Sequence, residues 1–432
     1  MKLRRNALYL LVVTALLLAA CGGPAVVPTE APPAAATKAP PASAPVEITV
    51  WDYYGEATPL KPIIAAFEQA NPGIKVKYEA LDWDTTLEKL NVVSTGGIPP
   101  DVTTVDMTWI PTFASLGAFT DLKTLYGGKL NGVAWDQAYS AGALEAITFD
   151  NQIIAALYDF DVYALYYRAD LFEQKGLPVP KNWDDLLTVA KGLAESDKYM
   201  YEFDADSFHG SQWIFENGGG LTTPDYKTVT FNSPEAVEAI TFNLSLLKEK
   251  AAINWTTDQG ERIQGIKDGR IAMFSDGPYY MGIMKSAAPE MAGKWKVATH
   301  PYKKQPGSYL GGTGLVIPAN AVNKEAAWKF IEFAMTAENQ IGVYKLAGAA
   351  PALTAALESP EVNVEDPYFG GQKAFAVFLE AQKTAKHFPY VQAWGDIDGF
   401  FTTAMQEIAL EQKTVQQALD DAATQSTEAL NK

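Results

Sequence analysis

From Val46 onward, apolar and polar positions alternate and then change period, so the chain reads as a succession of strands and helices. Val46–Trp51 (VEITVW) places Val46, Ile48 and Val50 on one face and predicts a strand that ends in Asp52-Tyr53-Tyr54-Gly55-Glu56. Thr58-Pro59 then has the chemistry of a helix start, and Leu60, Ile63, Ile64 and Phe67 share one helical face. Asn71-Pro72-Gly73 stops that helix, and Ile74, Val76 and Tyr78 alternate as a second strand. A second helix is predicted over Thr85–Thr95, with Leu87, Leu90 and Val93 inward. After the break at Gly96–Pro100, Asp101–Val105 reads as a third strand ending at Asp106. This β-α-β-α-β order predicts a parallel sheet in an α/β fold.

Further on, Ile153–Tyr158 and Val162–Tyr167 read as strands flanking Asp159-Phe160-Asp161. Asn182 caps a helix over Trp183–Ala194, and Ser233-Pro234 opens another with Val237, Ile240, Leu244 and Leu247 inward. Asp268–Gly282 (DGRIAMFSDGPYYMG) is the most informative stretch. Gly269 suits the left-handed residue after a helix, Ile271–Phe274 is a short buried strand, and Ser275-Asp276-Gly277-Pro278 breaks it ahead of Tyr279 and Tyr280. Lys294–His300 reads as a strand, and Asp396–Gln412 and Thr414–Leu430 as amphipathic helices. Acids and aromatics thus gather where strands end, and in open α/β sheets ligands bind beyond the carboxyl ends of the strands.

Composition narrows the class. The 432 residues are 48% hydrophobic, long enough for two cores. The formal charge of −17 argues against nucleic-acid binding, which needs clustered Lys and Arg. The chain has a single cysteine, Cys21. It follows a basic start (Lys2, Arg4, Arg5), an apolar run from Ala7 to Leu18, and Leu18-Ala19-Ala20. This resembles the bacterial lipoprotein signal, which implies removal of residues 1–20 and a lipid on the Cys21 thiol. Residues 22–45 are rich in Pro, Ala and Thr and nearly lack large apolar side chains, so 21–45 is expected to be a lipidated, disordered tether. In extended form it would reach about 70 Å. No later stretch is apolar enough to span a bilayer.

Leu165–Leu193, written LYYRADLFEQKGLPVPKNWDDLLTVAKGL, resembles extracellular solute-binding protein family 1, the sugar-binding components of bacterial ABC importers. Arg168 stands where that family commonly has Asn, and Asn182 where it has Thr. Phe274–Tyr280 is similar to the family's Gly-Pro-Trp turn, with Tyr279 in place of Trp. Leu310–Pro318 followed by Ala326–Ile331, and the Gly348–Pro351 turn, also match in order. The resemblance implies a two-lobed periplasmic-binding-protein-like fold with hinge strands between the lobes. Crossings are expected near Leu157–Asp161, Ala272–Asp276 and Val322–Ala326. Lobe 1 would then hold 46–158 and 277–321, and lobe 2 the remainder, 159–276 and 322–432. It also implies a monomer that closes on its solute and docks on an ABC permease.

Sugars are held by flat aromatic faces and by carboxylates that accept hydroxyl hydrogen bonds. The candidate ligand-binding set is Trp51, Asp52, Tyr53, Asp106, Trp109, Asp159, Asp161, Trp213, Asp276, Tyr279, Trp394 and Asp396. Gly311 and Gly312 would let backbone approach the ligand. Trp109, Trp213 and Trp394 are the expected stackers; Trp135, Trp183, Trp255, Trp295 and Trp328 are assigned to packing. Once residues 1–20 are removed, the arginines are Arg168, Arg262 and Arg270, few for an anionic ligand. A cationic ligand such as a polyamine suits the same acids and aromatics and is the alternative. Ferric iron on Tyr279-Tyr280 is disfavoured, because the preceding Gly-Pro fits the sugar-binding turn. Enzyme signatures such as GxSxG and HExxH are absent, and His209, His300 and His387 lack ligand spacing. No catalytic residue, metal or cofactor is assigned. A secreted glycosidase needs only two carboxylates and stays a remote alternative.

Overall fold

The computed structural model describes residues 45–125, 127–254 and 259–431. The signal, Cys21, the tether and Trp255 lie outside the described residues. Among the described residues, no helix is long and apolar enough to cross a membrane.

Two main sheets organise the chain. In the first, β1 (Val46–Asp52) pairs in parallel with β2 (Ile74–Ala80) and β3 (Val102–Asp106). Ile48 and Val50 point into one core, where Leu60, Ile63 and Phe67 of the helix Leu60–Ala70 cover them. A small hairpin, β4 (Thr148–Phe149) and β5 (Gln152–Ile153), precedes the long strand β6 (Ala156–Val162). The second sheet holds β7 (Ala164–Arg168), β8 (Met200–Phe203), β9 (Ala252–Asn254), β10 (Ile271–Asp276) and β11 (Trp295–Ala298), in the order β11-β7-β10-β8-β9. Its strands are apolar on both faces because each face carries a core. Leu165 and Tyr167 of β7 enter one, while Ala164 and Tyr166 enter the other.

β12 (Ser308–Val316) returns to the first sheet and lies antiparallel between β3 and β6. β13 (Ala350–Pro351) and β14 (Ala385–Lys386) complete that sheet, beside β6 and β12. Both β6 and β12 span the two lobes. Ala156–Tyr158 pack in the first core, and Phe160 and Val162 in a second-lobe core; Leu315 and Val316 pack in the first, and Tyr309 and Leu310 in the second-lobe cores.

This path corrects two expected crossings. Ala272–Asp276 stays inside the second sheet as β10, and β11 after it pairs with β7, so residues 277–307 remain with the second lobe. The strand that returns is β12. Val322–Ala326 is not a crossing either: the helix Lys324–Ala334 packs on the helix Leu60–Ala70, with Phe330 edge-on to Phe67 at 5.2 Å. After β12 returns it, the chain stays mainly with the first core as far as Ala356, with Ala350 reaching a second-lobe core, and passes over by Val362.

Candidate functional site

A cavity of about 470 Å³ opens between the lobes where β6 and β12 pass from one to the other. The first lobe supplies Tyr53 and Tyr54 after β1, Pro59, Trp83 and Asp106. Asp159, Phe160 and Asp161 come from β6, and Tyr309, Gly312 and Thr313 from β12. The second lobe adds Tyr163, Phe208, Tyr279 and Ile283, and Ala349 and Ala350 close the wall. None of these lining residues is Lys, Arg or His.

Hydrogen bonds hold the first-lobe wall. The Tyr53 hydroxyl donates to Thr313 Oγ1 at 2.7 Å, and the Tyr54 hydroxyl to Asp159 Oδ2 at 2.7 Å. The Thr313 amide donates to Asp159 Oδ1 at 3.0 Å. Asp106 accepts from the Thr108 amide at 2.8 Å and from its hydroxyl at 2.6 Å. Gly312 has φ +148°, and a Cβ there would stand 2.2 Å from the Asp159 carbonyl oxygen, so only glycine lets β6 and β12 meet here. Burial pushes Asp159 up to about 6 against its hydrogen bonds, and raises Asp106 as well. Burial, followed by the nearby Asp276, Asp159 and Asp106 charges, holds Asp161 well above the carboxylate range.

Of the sequence candidates, Tyr53, Asp106, Asp159, Asp161, Tyr279 and Gly312 meet in this wall. The others do not line it. Trp109 is buried behind it and braces two lining rings, Trp83 at 4.7 Å and Tyr53 at 5.7 Å. Trp51 packs under the Lys89 ammonium, 4.0 Å from the ring centroid. Trp213 is a core residue beside Trp183 and His300, and Trp394 is a core residue against Phe388. Neither helical tryptophan is free to stack on a solute. Asp52 is fully buried and spends its carboxylate on the Thr58 hydroxyl, the Tyr54 amide (3.1 Å) and the Tyr78 hydroxyl (3.2 Å). Asp396 is exposed in the first turn of the helix Trp394–Ala409. Gly311 pairs with Asp161 across the sheet but is not in the wall.

Asp276 belongs to a buried ionic cluster of the second lobe. Arg262 donates to Glu202 (2.8 Å), Asp204 (2.9 Å) and Asp276. Burial and then the Asp204 charge push Glu202 up to about 8. Beside the cluster, Asp204, Asp206 and His209 have the spacing of a metal site. Both His209 nitrogens are already used, Nδ1 by Asp206 at 2.9 Å and Nε2 by the Ser275 carbonyl at 3.0 Å. Burial opposes charge on this ring, but Asp204 and Asp206 outweigh it and push His209 up to about 10, so it is a cation rather than a ligand.

Sequence reasoning missed Tyr54, Trp83, Tyr163, Phe208 and Tyr309. Trp83 was legible: Asp82 is an N-cap, its side chain accepting from the Thr85 amide at 2.7 Å. The helix therefore starts at Trp83, earlier than the expected Thr85, and its first residue faces the cleft. Tyr163 and Tyr309 carry no such signal, since both sit in apolar strand context.

The comparisons with known proteins agree with this architecture. A putative binding protein of Brucella abortus is 25% identical over 401 residues, covering 90% of this chain and 93% of the relative. A maltooligosaccharide ABC transporter solute-binding lipoprotein of Streptococcus pneumoniae is 25% identical, covering 80% of this chain and 79% of that one. Among solved structures, the GacH receptor of Streptomyces glaucescens, determined unliganded and with acarbose, superposes with a TM-score of 0.80 at 22% identity, covering 90% of this chain and 99% of that one. The fold is thus that of two-lobed periplasmic binding proteins. The pattern of the bacterial extracellular solute-binding proteins matches residues 52–341, and the chain belongs to that family.

Proposed function

We propose that the protein captures a sugar or short oligosaccharide between its lobes, outside the cytoplasm, and hands it to an ABC importer. The observation that carries this reading is the wall itself. Tyr53, Tyr54, Trp83, Tyr163, Phe208 and Tyr279 offer ring faces, and Asp106, Asp159 and Asp161 offer acceptors, in a cavity of about 470 Å³. That volume lies in the range of small-molecule sites. The maltooligosaccharide-binding relative supports the same solute class. The lipid anchor on Cys21, the tether and the monomeric state complete the proposal; that relative is itself a lipoprotein.

Closure would turn on β6 and β12, the paired strands that cross between the lobes. A solute drives it only through contacts made better in the closed state. A micromolar affinity needs about 8 kcal/mol net. The protein acts by binding, and no reaction is assigned to it.

The test is a thermal-shift screen over mono- and oligosaccharides, with hits measured by calorimetry and each hit assayed for cleavage. A saccharide that binds and is recovered intact supports the proposal. Turnover, or an absence of any saccharide binding, refutes it.

A further inference from the structure

The lining carboxylates are not equivalent. Asp159 accepts on both oxygens, from Tyr54 and Thr313, and Asp106 accepts twice on Oδ1, from Thr108. Asp161 has no such partner: its Oδ1 is buried without a hydrogen bond. Its carboxylate lies against Gly277, where a Cβ would stand 1.7 Å from Oδ1, so only glycine leaves room for it.

The charges around Asp161 come from four directions. Asp159 lies on its own strand, Asp106 at the end of β3, Asp276 at the end of β10, and His209 on the helix Ser207–Glu216. His209 is committed to Asp206 and the Ser275 carbonyl, and Arg262 to Glu202, Asp204 and Asp276. No cation of the wall offsets the acids. A carboxylate that accepts nothing within the fold is left for the solute to satisfy, and a charged donor does so more strongly than a hydroxyl.

We propose that the solute is a saccharide bearing one protonated amine, an amino-sugar unit whose ammonium pairs with Asp161. The inference rests on the sugar-binding reading and narrows it. One unsatisfied carboxylate matches one positive charge. A polyamine would need several carboxylates free of the fold, whereas Asp159 is held through both oxygens and Asp106 through Oδ1. Tyr163 and Tyr279 line the same cavity, and aromatic rings attract an ammonium. Because an ammonium displaces the proton that Asp161 otherwise holds, affinity for the amine rises with pH until the amine itself deprotonates.

The experiment uses matched sets: glucosamine, galactosamine and mannosamine and their dimers, each beside its N-acetyl and hydroxyl counterparts, by calorimetry at pH 5.5 and 7.5. The expected result is that at least one amine binds about tenfold or more tighter than both counterparts, more so at pH 7.5. Asp161→Asn should remove that preference while its thermal melt shows a folded protein. Equal binding of amine and counterpart in the wild-type protein overturns the inference and leaves the sugar reading standing. A preference that survives in Asp161→Asn also overturns it. Failure of every saccharide overturns the sugar reading, and this inference with it.

Discussion

Arg262 gives the sharpest test of how the second lobe is held behind the site. Its guanidinium is 5% exposed and is shared among Glu202, Asp204 and Asp276, whose carboxylates are as buried as it is. Replacing it by methionine, which keeps much of the volume, leaves those acids without their cation. Breaking a buried charge network from one side costs about 3–5 kcal/mol. The acids can lessen that cost only by taking up protons. Glu202 sits near 8 with the arginine present and holds its proton in both proteins below that, so the extra proton uptake of Arg262→Met falls on Asp204, which burial already raises and which loses the offsetting arginine charge. A folded pKa above the unfolded one gives stability at low pH that is lost as pH rises through the folded value. The deficit of the variant should therefore widen from pH 5.5 to 7.5, by up to ~1.4 kcal/mol per pH unit for each carboxyl involved. Urea unfolding of wild type and variant at pH 5.5, 6.5 and 7.5 measures this directly. A deficit below about 1 kcal/mol at pH 7.5, or one that does not change with pH, would refute the reasoning.

Other expectations separate site from core. Trp83→Ala removes a half-buried ring of the cavity wall, so it should weaken solute binding by about tenfold or more, ~1.4 kcal/mol, with the melt little changed; unchanged calorimetric affinity would take Trp83 out of the site. Trp394→Ala should do the reverse, costing ~3–5 kcal/mol in urea unfolding with the folded fraction still binding normally, since that ring is core against Phe388. In the wild-type protein, Asp159 and Asp398 (each about 6), Glu202 (about 8) and His209 (about 10) all have folded values above the ordinary ones. Stability should therefore fall steadily from pH 5 to pH 9 in chemical denaturation, and a maximum at pH 8 or above would contradict these assignments.

The strand-and-helix order of the first sheet was legible because β1, β2 and β3 alternate or run apolar between clear turn residues. The acids that end β3 and lie within β6, which line the cavity, were legible as candidates for the same reason, since they interrupt apolar runs. Which lobe a strand joins was not. Ile271–Asp276 and Ser308–Val316 both read as buried strands near glycines, and only pairing partners tell that one stays and the other crosses. Tryptophan was the misleading signal. Trp213 and Trp394 sit in amphipathic helices, where a ring serves a core as well as a ligand, and periodicity cannot distinguish the two faces. Most of the wall is tyrosine, whose hydroxyl can be tied to a neighbouring side chain, as Tyr53 and Tyr54 are tied to Thr313 and Asp159, while the ring still faces the cavity.

The pairing of β6 with β12 slips by one residue: Thr313 faces Asp159, but Gly314 faces Leu157, leaving Tyr158 as a bulge. A bulge bends a ribbon and sharpens its twist at one point. The ribbon that joins the lobes therefore has a built-in crease, and the crease adjoins Asp159, whose side chain lines the cavity. Curvature of the joint and position of that carboxylate are then a single mechanical coordinate, set by the same short piece of backbone.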